Sequence, residues 1–136
     1  MHYLEAAEIT AIHDQIIEAT GGSLGVRESE LLESIAMKPQ ASFAGHELYP
    51  SLFAKAAALY EALCNYHVFI DCNKRTSAIA MYRFSVINGY ELVATNQELE
   101  TYTLSIANSH PDLANVAIWL EKHAKKSTQW PKIDVA

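Results

Sequence analysis

Long hydrophobic runs are the first thing this chain lacks. Its longest stretch without Asp, Glu, Lys or Arg runs only from Thr101 to Pro111. A membrane span takes roughly 18–20 apolar residues, so no membrane association is expected. Cysteine is scarce: Cys64 and Cys72 are the only two in 136 residues, and they form no CxxC pair. That excludes a disulfide scaffold and a zinc ribbon. Met1-His2-Tyr3-Leu4-Glu5 carries neither the basic start nor the apolar core of a secretory signal. The expectation is a cytoplasmic protein with reduced thiols. Basic residues are outnumbered, ten against sixteen acids, for a net charge of −6. Broad binding to nucleic acid needs the opposite balance, so DNA is not an expected partner. Repeats and low-complexity tracts are absent, and the few glycines and prolines fall where helices should end. One domain over residues 1–126 is expected, followed by an irregular tail at 127–136.

What is present is helical periodicity. Leu4, Ile9, Ile12, Ile16 and Ile17 recur at helical spacing, and Gly21-Gly22 stops that first helix. Leu31, Leu32 and Ile35 mark a short second helix that ends by Pro39. Residues 41–50 mix polar and apolar positions, with Gly45 and Pro50 as breakers, and read as a loop or short β-hairpin. Pro50-Ser51 opens a third helix. Asn73 to Asn88 is the most apolar segment, with Arg83 its only charge after Thr76, and belongs at the centre of the fold. Thr95-Asn96-Gln97-Glu98 fits a capping box, and Ser109-His110-Pro111-Asp112 fits one with Asp in place of Glu. They predict two last helices over about 96–108 and 110–126, the latter ending in the cations Lys122, Lys125 and Lys126. The fold class is all-α, a bundle of about six helices with one flap near residues 41–50.

Chemistry concentrates in His67-Val-Phe-Ile-Asp71-Cys-Asn73-Lys74-Arg75-Thr76. Asn73 is the expected N-cap of the helix that follows, which leaves the N–H groups of Lys74, Arg75 and Thr76 unpaired. Such a helix start binds phosphates. Lysine and arginine in a first turn oppose the helix dipole, a poor choice for stability and a good one for gripping a polyphosphate. Asp71 is a hard oxygen ligand suited to Mg²⁺ beside those phosphates. His67 can accept a proton near neutral pH and so activate a hydroxyl. Phe69 and Ile70 give the loop apolar anchors. The residues by themselves admit three readings: a solvated cap, two ligands of a transition metal lacking a third, or a site for phosphoryl or nucleotidyl transfer.

The same segment resembles the Fic/Doc superfamily signature HxFx[DE][AG]N[GK]R. Lys74, after the asparagine, is the variant of its death-on-curing (Doc) branch. Thr20 to Arg27, Leu31 to Ser34, Pro39-Gln40, Gly45 to Pro50, Lys55 to Ala57 and Asn88-Gly-Tyr90 are similar to Doc text as well, so the resemblance covers about residues 4–93. It implies a small all-α toxin of a toxin–antitoxin pair that uses ATP and Mg²⁺ to modify a protein hydroxyl and inhibit translation; the branch's type member phosphorylates elongation factor Tu. By position it implies His67 as the base, Asp71 as the Mg²⁺ ligand and Phe69 as the buried anchor. Asn73, Lys74, Arg75 and Thr76 would cradle phosphates, with Lys74 and Arg75 aiding catalysis. Gly45 and Tyr49 would belong to the flap that aligns the target peptide by strand addition. The lysine is tied to an inverted nucleotide that offers its γ-phosphate. The alternatives are AMP transfer, as in Fic relatives, and a non-catalytic nucleotide- or partner-binding protein. No inhibitory [ST]xxxE[GN] helix is evident, which implies inhibition in trans by an antitoxin with a Phd-type helix. One departure stands out: Cys72 occupies the usual Gly/Ala position, where a Cβ would strain any backbone of positive φ.

Overall fold

Fifteen residues from Ala6 to Thr20 form the first helix, α1, in the computed structural model, which describes residues 1–127. Glu5 and Glu8 close a capping box at its start, a cap the periodicity did not reveal. Gly21 ends it, as expected. Ser29–Met37 forms α2, and its last turn tightens into a 3₁₀ turn at Lys38–Gln40. Ser42–Phe43 (β1) and His46–Glu47 (β2) pair antiparallel, so the 41–50 segment is a hairpin. Its two-residue turn, Ala44-Gly45, has φ of 52° and 80°. Positive φ at both positions twists with the strands, and glycine takes it without strain.

Ser51 caps α3 (Leu52–Asn65), its hydroxyl accepting from Ala54 N at 3.1 Å. Asn73–Ile87 forms α4. The most extensive packing in the molecule is between α3 and α4. Ala56, Leu59, Leu63, Ala80, Met81 and Phe84 are buried between them and their neighbours. The central position expected for the 73–88 helix is therefore shared with α3. Asn96–Ser109 (α5) starts with the expected capping box, Glu98 N to Thr95 Oγ1 at 3.1 Å and Thr95 N to Glu98 Oε1 at 2.9 Å. The Thr95 N–H, and after it the Thr95 hydroxyl, hold the Glu98 carboxyl below its ordinary range.

The sixth helix differs from expectation. It spans Leu113–Lys122 (α6), and Asp112 makes no side-chain cap bond. Ser109 is spent as the last residue of α5, so the second capping box does not form. Ala124–Lys126 leaves the helix as β4 and pairs with Tyr90–Leu92 (β3). Glu91 faces Lys125 across this ladder, with Nζ 3.8 Å from the carboxylate. The tail cations thus serve a cross-strand charge pair as well as a helix end. The expected irregular tail at 127–136 lies outside the described residues from position 128 on. Among the described residues no helix is long and apolar enough to cross a membrane. Among the described residues the architecture is six helices with two small two-stranded sheets, the all-α class expected.

Candidate active site

The segment joining α3 to α4 is anchored by two adjacent residues. Val68 and Phe69 point into the core, while His67, Ile70 and Asp71 are exposed. The stretch 25–28 clamps it from one side. Arg27 N and Glu28 N donate to Val68 O at 2.7 and 3.1 Å, and Ile70 N donates to Gly25 O at 3.2 Å. From beneath, His13 of α1 stacks on Phe69 with ring centroids 4.0 Å apart and nearly parallel planes. His13 is fully buried, and its Nε2 donates to Asp71 O at 2.9 Å; its Nδ1 lies 3.1 Å from Asp14 Oδ1.

Asn73 is not the N-cap. Cys72 is, in the left-handed region at φ 60°, ψ 32°. The Asn73 side chain faces back along the chain instead: its Oδ1 accepts from Phe69 N at 3.0 Å and its Nδ2 donates to Phe69 O at 2.9 Å. Both faces of the amide are used in closing the loop, so Asn73 shapes the helix start through the backbone. The first intrahelical bond runs from Thr76 N to Cys72 O at 3.0 Å. The outward N–H groups are therefore those of Asn73, Lys74 and Arg75 rather than Lys74, Arg75 and Thr76. The reason is the shift of the cap by one residue.

Asp71 is oriented by two backbone donors, Cys72 N to Oδ1 at 2.8 Å and Ser23 N to Oδ2 at 3.2 Å. A carboxylate offers about four lone-pair sites, so it retains capacity for a cation. Gly22 lies against it at φ 124°, where an added Cβ would stand 2.8 Å from Oδ2. Arg75 is pinned to the end of α1, Nη1 donating to Thr20 Oγ1 at 2.8 Å. Among the described residues Lys74 enters no ion pair, and no group of three or more His, Cys, Asp or Glu gathers as a metal cage. One exposed carboxylate beside a run of free N–H groups fits Mg²⁺, a metal that takes most of its oxygens from phosphate and water. It does not fit a transition-metal cage.

His67, Ile70, Asp71, Cys72, Asn73, Lys74 and Arg75 line one open depression of about 350 Å³. Lys74 and Arg75 also form one end of an adjoining groove of about 510 Å³ between α4 and α5, walled by Ile79, Leu99 and Leu104. Phe69 lies beneath the depression as its anchor. Thr76 is fully buried, outside the lining, and its hydroxyl has no hydrogen-bond partner. A direct phosphate contact from its side chain does not fit this placement. Gly45 and Tyr49 are away from the depression: Gly45 in the hairpin turn and Tyr49, half-buried, in the bend after β2. Cys64, beneath α4, is a buried thiol that burial pushes up, and so a core residue rather than a nucleophile.

His13, Gly22 and Ser23 were missed from sequence. His13 left one trace: it interrupts an apolar stripe between Ile9 and Ile17 at four-residue spacing. A histidine there needs polar partners inside the fold.

The sequence matches known proteins. A model described as the Fic/DOC family matches residues 3–85. Toxin Doc of Mycolicibacterium smegmatis is 45% identical over 76 residues, which is 56% of this chain and 58% of that toxin. Protein kinase doc of Escherichia phage P1 is 30% identical over 122 residues, 90% of this chain and 95% of that kinase.

Proposed function

The chain belongs to the Fic/DOC family, and on that premise we propose that it is a Doc-type toxin that transfers the γ-phosphate of ATP to a hydroxyl of a cellular protein. One observation supports this above the others. His67, Asp71, Lys74 and Arg75 share a single depression at the start of a helix whose N–H groups point outward. Base, metal carboxylate, cations and phosphate cradle are the parts this transfer requires.

The exposed His67 imidazole takes the proton of the target hydroxyl as its oxygen bonds to the γ-phosphorus. The bond from the γ-phosphorus to the bridging oxygen breaks, and ADP leaves with the electron pair. The N–H groups of Asn73, Lys74 and Arg75, with the two side-chain cations, hold the phosphate charge throughout. Asp71 would hold Mg²⁺, which supplies further neutralisation of the phosphate oxygens. The groove beside Lys74 and Arg75 offers space for the rest of the nucleotide. The target peptide adds to the 42–47 hairpin by strand pairing, and elongation factor Tu is the first substrate to test. Inhibition of translation follows if that factor is the target. An antitoxin acting in trans and a cytoplasmic setting complete the reading.

The test is transfer in a bacterial extract with Mg²⁺ and ATP labelled at the α- or γ-phosphate. A γ-label on one protein is expected, falling about 10³-fold with His67→Ala, the size of a general-base contribution. An α-label would overturn the kinase reading in favour of AMP transfer.

A further inference from the structure

A charge is buried outside the lining of the candidate phosphate site. Lys55, at the start of α3, is only 2% exposed. Its ammonium donates to Pro39 O at 3.0 Å and to Glu47 Oε1 at 2.8 Å, and it lies 5.8 Å from the centre of the Tyr3 ring. Three segments meet on it: the 3₁₀ turn, the hairpin and the N-terminal arm. Glu47 itself is half-exposed, 54%. Among the described residues this is the one side-chain bond that ties hairpin residues 42–47 to the body. The hairpin's other bonds run within itself or to its own base, such as Leu48 N to Ala41 O at 2.9 Å.

Burying an ammonium is costly, and a packed apolar residue at such a place is often as stable or more so. Lys55 is thus a poor choice for stability alone. What it does fix is orientation. Side chains alternate across a strand, and cross-strand partners share a face. Glu47 and Ser42 are partners, as are Phe43 and His46. Holding Glu47 inward turns Phe43 and His46 outward, and Phe43 is 76% exposed. The hairpin base is also next to the catalytic segment: Ala41 and Tyr66, the residue before His67, line one depression.

We propose that Lys55 is a positioning residue, an internal latch that sets the orientation of the 42–47 hairpin through Glu47 and so presents the target peptide to His67. The proposal rests on the kinase reading for its catalytic half and on hairpin order alone for its structural half.

Lys55→Met and Glu47→Gln test both halves. Hydrogen exchange comes first. In Lys55→Met the hairpin amides, with Leu48 N–H as marker, should exchange at least about tenfold faster, while α3 and α4 amides stay as protected as in the parent. Melting temperature should change little, because the buried charge is gone and Glu47 is half-exposed, against which Pro39 O loses its donor. With the extract protein labelled above as substrate, KM for that protein should rise about tenfold. kcat and the affinity for ATP should change less than twofold. Lys55→Met combined with Glu47→Gln should add nothing to either single change. Unchanged hairpin exchange overturns the latch. A parallel fall in melting temperature, kcat and ATP affinity overturns it too, since that marks a structural role. If the parent labels no protein, the kinase reading falls, and the exchange measurement still decides the latch.

Discussion

The loop at 67–75 and the hairpin at 42–47 are held in opposite ways. The loop is tied from three sides: to the 25–28 stretch by backbone bonds, to α1 by His13, and to itself by Asn73. It includes two non-glycine residues at positive φ, His67 at 51° and Cys72 at 60°. Outside a tight hairpin turn, where Ala44 takes the same region, such conformations persist where the surroundings over-determine them. The hairpin is exposed along both strands and, among the described residues, reaches the body through one side-chain ion pair. On the proposed reading, the difference separates two tasks. Stabilising phosphate charge works best with donors fixed beforehand. Reading a peptide by strand addition needs a free edge, and a free edge must be exposed.

If the loop is rigid because of what lies under it, removing His13 should break the contrast most severely. His13→Ala removes the stacked ring under Phe69 and the donor to Asp71 O. Cavity and lost bond together should lower stability by about 3–4 kcal/mol, read by urea denaturation. Transfer should fall well beyond the unfolded fraction, because Asp71 loses its support. Asn73→Ala comes next. Two bonds to the Phe69 backbone disappear, and the Phe69 N–H and carbonyl are left in a half-buried setting. A loss of about 2 kcal/mol is expected. Loop amides, Phe69 N–H above all, should lose hydrogen-exchange protection. Retention of both stability and protection would mean the loop is held by the 25–28 clamp and His13 without Asn73.

The effect of Cys72→Gly is smaller and of opposite sign. Cys72 sits at φ 60° as the cap of α4. Left-handed backbone costs a residue with a Cβ roughly 1–2 kcal/mol, and glycine escapes it. The half-buried thiol contributes some packing in return, so a net gain of about 1 kcal/mol is expected by the same denaturation measurement. A loss instead would show that the Cys72 side chain packs better than its exposure implies.

Much of this was legible in the sequence, for reasons that differ by element. Amphipathic stripes and breakers marked the helices, because burial of one face imposes the spacing. The Thr95–Glu98 box was visible because both partners lie within four residues. Lys74 and Arg75 were visible because cations at a helix start violate the dipole rule. The shift of the N-cap from Asn73 to Cys72 was not visible. Asn is a good cap in isolation, and only the demand of the Phe69 backbone four residues earlier recruits its amide elsewhere. The β3–β4 pair joins residues more than thirty positions apart. No local pattern announces such a register, and the cations at 122–126 suited a helix end equally well. His13 and Lys55 share a cause. Each is a polar side chain buried by partners remote in sequence, and only the fold brings those partners together.

The smallest effect on stability is expected at Phe43, and it sharpens the contrast most. Its ring is 76% exposed and belongs to a hairpin with little hold on the body. Phe43→Ser should therefore change stability by less than about 0.5 kcal/mol. A solvated aromatic on a free strand edge is still costly to keep exposed, because it offers a surface for unwanted pairing. Its retention makes sense if a peptide covers it. In the transfer assay Phe43→Ser should raise KM for the labelled protein several-fold and leave kcat at saturating protein unchanged. Equal KM for the two proteins would show that the peptide pairs with the hairpin through backbone alone. A matched fall in kcat would place the ring closer to His67 than its exposed position on β1 implies.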